Sequence, residues 1–504
     1  MHQKILEIIK NIPKFWWILL AILIVGIFLR TWHHHDWLRF NADQGRDALI
    51  VSSAVDGSAP MPLLGPKAGG TQFRLGAAFY YFEIVSAKIF GNVPDKMAYP
   101  DLFTGILFIP LLFFFLRKYF EKYVSLYLTA IFAVSAYAIF YARFGWNPNS
   151  TPFWTLLFLY AIHEVVSRKG KHKFLWAVLA GVAIGVGVQL HTTLLVILPA
   201  VTVLVFGYFL FKKKNVLKFF LIVLAVSLFV NIPQLIDMHK TNGKNITAFF
   251  QGLKTKQKAE STVAGNIFQS TSCLVQGNIY IASGYEISDK CSFGSGSSKA
   301  NVVVFAFGSV FVLGGLVLAV RYFLKEADAD QKAFLGIVFV FTGIAYLVFT
   351  KMAYELSVRF YLPLVFLPFV LLGLGSNLFF VQKSFAVFAN YGNPGGSDVN
   401  VTILKEAEEF SRFIVTNASN KKNVYISGDK EFLHKAYTPL KYLVGRSNIK
   451  LSLLKNLPLP DQSFQVVRQK NRKKIVLDTG VNILQYKDYG SFSMLLVQKN
   501  GSQQ

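Results

Sequence analysis

The stretch Phe40 to Val51, FNADQGRDALIV, places Asp43, Arg46 and Asp47 in one short run. In a helix Asp43 and Asp47 form an i, i+4 pair on one face, with Arg46 within reach of both. A carboxylate held there can take the proton of an attacking hydroxyl as a general base. The same spacing equally suits a solvated Asp/Arg ion pair with no chemistry. Further polar residues stand at the ends of apolar runs: Arg143, Trp146 and Asn147 in RFGWNPN, His191 in QLHTT, Asp237 and His239 in PQLIDMH, and Lys351, Glu355 and Arg359 before Tyr361. Each alone is an ordinary interfacial anchor or helix cap. Jointly, a cationic set opposite two carboxylates would suit an anionic lipid head group beside a proton-accepting base.

The elements that must position these residues are membrane helices. The chain has 504 residues, of which 53% are hydrophobic and 16% charged, and its mean hydropathy is +0.43. Apolar runs near the length of a bilayer crossing recur through the first 380 or so residues, which excludes an ordinary soluble enzyme. A net charge of +25 could suggest nucleic acid. Much of it, however, sits in short clusters between apolar runs: Arg117, Lys118 and Lys122; Arg168, Lys169, Lys171 and Lys173; Lys212, Lys213, Lys214 and Lys218. Such loops mark the cytoplasmic side of a membrane protein, so no nucleic-acid partner is expected.

Lys4, Lys10 and Lys14 precede a first run, Phe15 to Leu29, that reads as a retained signal anchor with its N-terminus inside. Nine more spans are expected, at about 99–116, 123–141, 151–166, 174–190, 193–211, 217–236, 301–320, 333–350 and 360–380. This count puts the three basic clusters and the loop Arg321 to Lys332 inside. It places 30–97, 142–150, the residues near His191, 237–300 and 351–359 outside. Cys273 and Cys291 both fall in the outside loop 237–300. A disulfide there would contribute about 3 kcal/mol by loop entropy, and two unpaired loop cysteines are the alternative.

The fold expected is an all-α polytopic membrane bundle over residues 1–390, with a long first outside loop at 30–97 and a second large one at 237–300. A small α/β soluble domain follows over 398–504, after a Gly392 to Ser397 linker. Helical spacing of Ile403, Leu404, Ala407, Phe410 and Ile414 predicts a helix over 398–417, and 423–427, 474–478 and 493–498 read as strands. Ten crossings leave this domain inside, and an eleventh around 377–389 would put it outside.

The acidic-x-x-Arg run (Asp43 to Arg46), LLGP (Leu63 to Pro66), LGAAFYYF (Leu75 to Phe82), RFGWNPN, QLH and RFYLPL occur in an order that resembles the multi-spanning GT-C glycosyltransferases. Nearest is the bacterial branch similar to protein O-mannosyltransferases and lipid A aminoarabinose transferases. The resemblance covers roughly residues 15 to 380. It implies an inverting enzyme of the plasma (inner) membrane, working on the extracytoplasmic side. Such an enzyme moves a hexose or pentose from a polyprenyl-phosphate donor to a lipid, glycan or protein acceptor. It also implies that Asp43 is the catalytic carboxylate, with Arg46 orienting Asp43 or Asp47.

A phosphate leaving group needs cations more than an acid. Arg143 and Arg359 are therefore the first phosphate binders, with His191 as a further donor. Trp146, Asn147, Asp237 and Tyr361 would line the substrate or prenyl groove. Two departures stand out: the usual proline is replaced in Leu75-Gly76-Ala77-Ala78, and the apolar region after Arg359 is short.

No cofactor or metal is expected, although some GT-C enzymes use a divalent ion. His33, His34 and His35 are adjacent, and adjacent side chains diverge rather than share one coordination shell. The other class weighed is a transporter or flippase of a lipid-linked sugar, which would also need cations near the bilayer. Transporters carry polar residues at the membrane midplane on broken helices, whereas these gather at one boundary. A GxxxxGK[ST] phosphate loop is absent from the sequence, which disfavours ATP-driven transport.

Overall fold

In lipid a chain must satisfy every backbone polar group internally, and the apolar runs do so as helices. The computed structural model describes residues 12–212, 215–255, 262–288, 290–291, 298–365, 403–418, 421–454, 460–469 and 481–499. Among these, the first span is α1 (Lys14–Thr31), which buries only Leu19, Gly26 and Arg30 and leaves Trp16, Trp17, Ile24 and Phe28 exposed. The first loop then forms α2 (Ala42–Val55), a short antiparallel hairpin of β1 (Leu64–Lys67) and β2 (Arg74–Gly76), and α3 (Ala78–Phe90).

The bundle continues as α4 (Tyr99–Leu116), α5 (Lys122–Ala133), α6 (Ala136–Tyr141), α7 (Thr151–Val166), α8 (Lys173–Leu190), α9 (Thr192–Phe211) and α10 (Leu217–Val230). It is completed by α11 (Ile232–Lys240), α12 (Lys244–Thr255), α13 (Val263–Ser283), α14 (Lys299–Lys325) and α15 (Ala329–Lys351). Six of the described helices are long and apolar enough to cross a membrane, or seven if the bent pair α10 and α11 is one span.

Four expectations change here. The span expected at 123–141 breaks after Val134. Ser135 caps α6 by accepting the Ala138 N–H and donates its hydroxyl to Ile281 O at 2.7 Å. The span expected at 217–236 turns by 61° at Asn231; the Asn231 amide donates to Ser227 O and Gly185 O, and Pro233 lacks the N–H that a continuous helix would use. The segment 237–300, read as loop, is largely helical. Within it α13 packs among α6, α14 and α15, burying Ser270, Ser272, Gln276 and Asn278. Cys273 and Cys291 are both buried and joined as a disulfide. Of the span expected at 360–380, the part through Leu364 is a short 3-10 helix, Val358–Leu364; the remainder from 366, the Gly392 to Ser397 linker and the strand expected at 474–478 lie outside the described residues.

Close helix contacts rest on small residues. A Cβ at Gly181 or Gly185 of α8 would lie 2.7 Å from Val226 or Val230 of α10, so glycine lets the two backbones approach. At one end of the bundle the basic loops are tied together. Lys118 pairs with Glu164, Lys169 Nζ lies 2.9 Å from Asp328, and the Arg168 N–H donates to Asp330 at 2.7 Å. The opposite ends of α4, α7 and α15 lead to the first loop, to the loop 142–150 and to Arg359.

The C-terminal domain is a five-stranded sheet in the order β4-β3-β5-β7-β6, built from β3 (Asn423–Gly428), β4 (Lys450–Leu453), β5 (Gln462–Arg468), β6 (Val481–Tyr489) and β7 (Phe492–Lys499). Strand β3 is parallel to β4 and β5, and β7 is antiparallel to β5 and β6. Helices α16 (Leu404–Thr416) and α17 (Lys430–Gly445) share a core with the sheet through Phe410, Ile414, Ile426, Phe432, Leu440 and Phe464. This domain rests on the first loop. The Leu404 N–H donates to Leu38 O at 3.0 Å, Arg446 Nη1 donates to Asn92 O at 2.8 Å, and Tyr442 packs edge-on to Phe40. It therefore lies on the same side of the bundle as α2.

Candidate active site

Helix α2 starts at Asn41, whose N–H donates to Gln44 Oε1 at 3.1 Å, so Gln44 satisfies a donor that the helix start would leave open. The same side chain reaches outward, with Nε2 donating to Gly145 O at 3.1 Å. One glutamine thus caps the helix bearing Asp43 and fastens it to the loop bearing Trp146.

Asp43 sits in the first turn of α2, where the positive end of the helix favours a carboxylate. Arg46 Nη1 donates to Asp43 Oδ1 at 2.8 Å, while Nε and Nη2 make a bidentate pair with Asp47 at 2.9 Å each. The two acids are not equivalent. The Asp43 side chain is 55% exposed and that of Asp47 only 2%. Tyr80 of α3 donates its hydroxyl to Asp47 Oδ1 at 2.8 Å, so Asp47 is spent on structure and Asp43 faces solvent.

Burial pushes Asp47 up to about 6, against the opposing pull of Arg46 and the Tyr80 hydroxyl. Burial and then Asp47 raise Tyr80. In Arg46 burial works downward, but Asp47 and Asp43 outweigh it and raise the guanidinium. Behind Tyr80, Glu83 is buried and raised well above its ordinary value by burial and by Asp47 and Asp101. Among the described residues its Oε2 meets no hydrogen-bond partner, and its Oε1 occupies the space where a Cβ on Gly145 would stand.

The loop 142–150 forms the next wall. The Trp146 N–H donates to Asp101 Oδ2 at 2.8 Å, and Asn147 Nδ2 donates to Leu190 O at 2.6 Å. This brings the loop beside His191, whose ring meets Phe360 edge-on at 5.3 Å and whose Nδ1 accepts the Thr193 N–H. Arg359 lies over the Trp146 ring at 5.6 Å with its side chain exposed. Gln189, two residues before His191, accepts the Ala78 N–H at 3.1 Å, and a Cβ on Gly76 would collide with it.

Asp43, Arg46, Trp146, Asn147, His191 and Arg359 are thus linked through α2, the loop 142–150 and the segment around Phe360. Three expected site residues go elsewhere. Arg143 turns its guanidinium to the carbonyls of Leu29, Arg30 and Trp32 and closes the end of α1; those donors are occupied by backbone. Tyr361 is fully buried, with its hydroxyl donating to Ser270 O and its ring against Phe349 and Gly277. Asp237 stands on α11, where its carbonyl takes the Thr241 hydroxyl.

The sequence reading missed Gln44, Tyr80, Glu83, Asp101 and Gln189 as site residues. A lone acid in an apolar run, as in Glu83 of FYYFEIV or Asp101 of YPDLF, was the available signal. The three adjacent histidines diverge: His33 toward Asp36, His34 onto Tyr99, and His35 between Asp95 and Glu408. Among the described residues no three His, Cys, Asp or Glu gather so as to hold a metal.

The structure is a helical bundle with helices long and apolar enough to cross a membrane, whose first loop carries the Asp43–Arg46–Asp47 group near the exposed Arg359 and the Trp146 ring. Residues 77–236 match the family model described as dolichyl-phosphate-mannose-protein mannosyltransferase, which bears out the resemblance to GT-C membrane glycosyltransferases. The matched region runs from α3 through loop 142–150 and His191 to α11, and stops short of Asp43 and Arg359. Among solved structures, ArnT from Cupriavidus metallidurans is similar at 12% identity and TM-score 0.48, over 95% of this chain and 97% of that one in the apo state. The same protein bound to undecaprenyl phosphate aligns over 97% and 98%, with the same identity and score. The oligosaccharyltransferase AglB from Archaeoglobus fulgidus, in complex with an inhibitory peptide and a dolichol-phosphate, is similar at 13% identity and TM-score 0.41, over 88% of this chain and 56% of that one. No curated protein matches the sequence.

Proposed function

We propose that the chain is an inverting glycosyltransferase that moves a hexose or pentose from a polyprenyl-phosphate donor to an acceptor on the extracytoplasmic face of the plasma membrane. The observation that carries this reading is the difference between Asp43 and Asp47. Arg46 holds both, yet Asp47 is buried and saturated while Asp43 is presented at the surface beside the loop carrying Trp146.

Asp43 accepts the proton of the acceptor hydroxyl as that oxygen attacks the anomeric carbon, and the carbon–phosphate oxygen bond breaks on the opposite face. The departing lipid phosphate takes the bonding electron pair. Arg359, exposed over Trp146, stabilises the charge that develops there, with His191 as an adjacent donor. Trp146 offers an aromatic face to the sugar. Arg143 supports the site by anchoring its loop to the end of α1, and no longer serves as a phosphate ligand.

The test is transfer of labelled sugar from a panel of polyprenyl-phosphate donors by the full chain in proteoliposomes. Label appearing in an acceptor fraction, with lipid phosphate released in equal amount, is expected. Movement of intact donor across the bilayer without transfer would replace this reading with that of a flippase.

A further inference from the structure

Helix α10 turns by 61° at Asn231 into α11, which buries none of its residues. At helical spacing Ile232, Leu235, Ile236 and Met238 form one exposed apolar arc of α11, and Gln234, Asp237 and Lys240 lie opposite. Helix α12 has three faces. On the first, Asn245 exchanges two hydrogen bonds with the backbone of Arg74, at 2.9 and 2.8 Å, Phe249 meets Phe73 edge-on, and Thr71 lies against Gly252. The second holds Ile246 and Phe250, exposed at 45% and 59%. The third carries Lys244, Thr247 and Gln251, all exposed.

We propose that α11 and α12 are a membrane-surface platform for acidic phospholipid head groups, with their exposed apolar arcs sunk into the bilayer interface and Lys240 and Lys244 on the head-group phosphates. Continuity decides the occupant. The last turn of α10 packs on Gly185 of α8, and Val230 O accepts from Gln189 Nε2. Helix α10 therefore ends level with the end of α8 that leads to His191, and α11, which begins one residue later, starts at head-group depth. Charge agrees: Lys240 and Lys244 face a single acid, Asp237, while His239 falls within the arc of Ile232, Leu235 and Ile236. An interfacial helix binds by this pairing of an apolar face with cations toward anionic lipid. The third face of α12 then points to water, while the first carries the β1–β2 hairpin, whose Gly76 rests on Gln189 beside the site. Seating on acidic lipid thereby sets the height of that hairpin.

The test uses the full chain with a single nitroxide at Phe250→Cys or, as control, Gln251→Cys; the native cysteines are buried in their disulfide and do not react. In vesicles of phosphatidylglycerol and phosphatidylcholine, position 250 is expected to be open to oxygen and shielded from a water-soluble relaxing agent, and position 251 the reverse. Equal exposure of both to the aqueous agent overturns the platform. Spin-labelled phosphatidylglycerol is expected to contact the protein in preference to phosphatidylcholine, and Lys240→Gln and Lys244→Gln to reduce that preference about fivefold each. An unchanged preference in both variants overturns the head-group assignment.

Discussion

Asp47 carries a pH dependence whose sign follows from its burial. Its folded-state value is raised to about 6, so the folded protein holds that proton more tightly than the unfolded chain does. Its contribution to stability is fully present below the ordinary carboxylate value and is lost as pH rises through about 6, an effect on the order of 3 kcal/mol. Thermal unfolding across this window should show stability declining toward pH 6 more steeply in the intact chain than in Asp47→Asn. Identical slopes would remove the burial account of Asp47. At this scale the sequence was informative where chemistry is local: Asp43, Arg46 and Asp47 occupy adjacent turns of one helix, so their spacing alone shows the pairing. It could not rank the two acids, because their difference depends on Tyr80, thirty-odd positions away. Arg143 and Tyr361 were misplaced for the same reason, since their partners Leu29 and Ser270 come from distant segments.

Helix α2 is held from two sides, by Gln44 on the loop 142–150 and by α17 of the C-terminal domain. A Cβ on Gly45 would lie 2.7 Å from Pro439 N and 2.9 Å from its Cδ, and backbone there cannot give way cheaply. Gly45→Ala should lower the stability of the folded chain by about 1–3 kcal/mol through overpacking and speed proteolytic release of the C-terminal domain. Gly207→Ala, with open space around it, should do neither. Equal behaviour of the two variants would show that the close approach bears no energy. Span positions were legible from hydropathy, while the breaks at Ser135 and Asn231 were not. Each break is stabilised by side-chain hydrogen bonds to another element, Ile281 O or Gly185 O, which a local apolar pattern does not contain. The polar helix α13 was hidden because its buried serines, Gln276 and Asn278 read as loop composition.

Across the whole molecule, the basic loops gather at one end and the C-terminal domain docks at the other, against α2. The charge pattern alone groups the basic loops at one end but leaves the domain's end open, since the contact that places it, α17 on α2, joins segments nearly four hundred residues apart. A membrane-impermeant maleimide applied to intact cells should label Ser447→Cys, which is exposed on the domain, and spare Lys171→Cys in the basic loop. The reverse pattern would invert the topology and with it the extracytoplasmic assignment of the site.

The most direct measurement compares sugar transfer by the intact chain and by Asp43→Asn, in the same vesicles and with unfolding temperatures shown to agree. A fall of at least about a hundredfold, the loss that follows removal of a general base, is the predicted result. Transfer that stays within a few-fold of the intact chain would contradict Asp43 as the base and move the chemistry to another group.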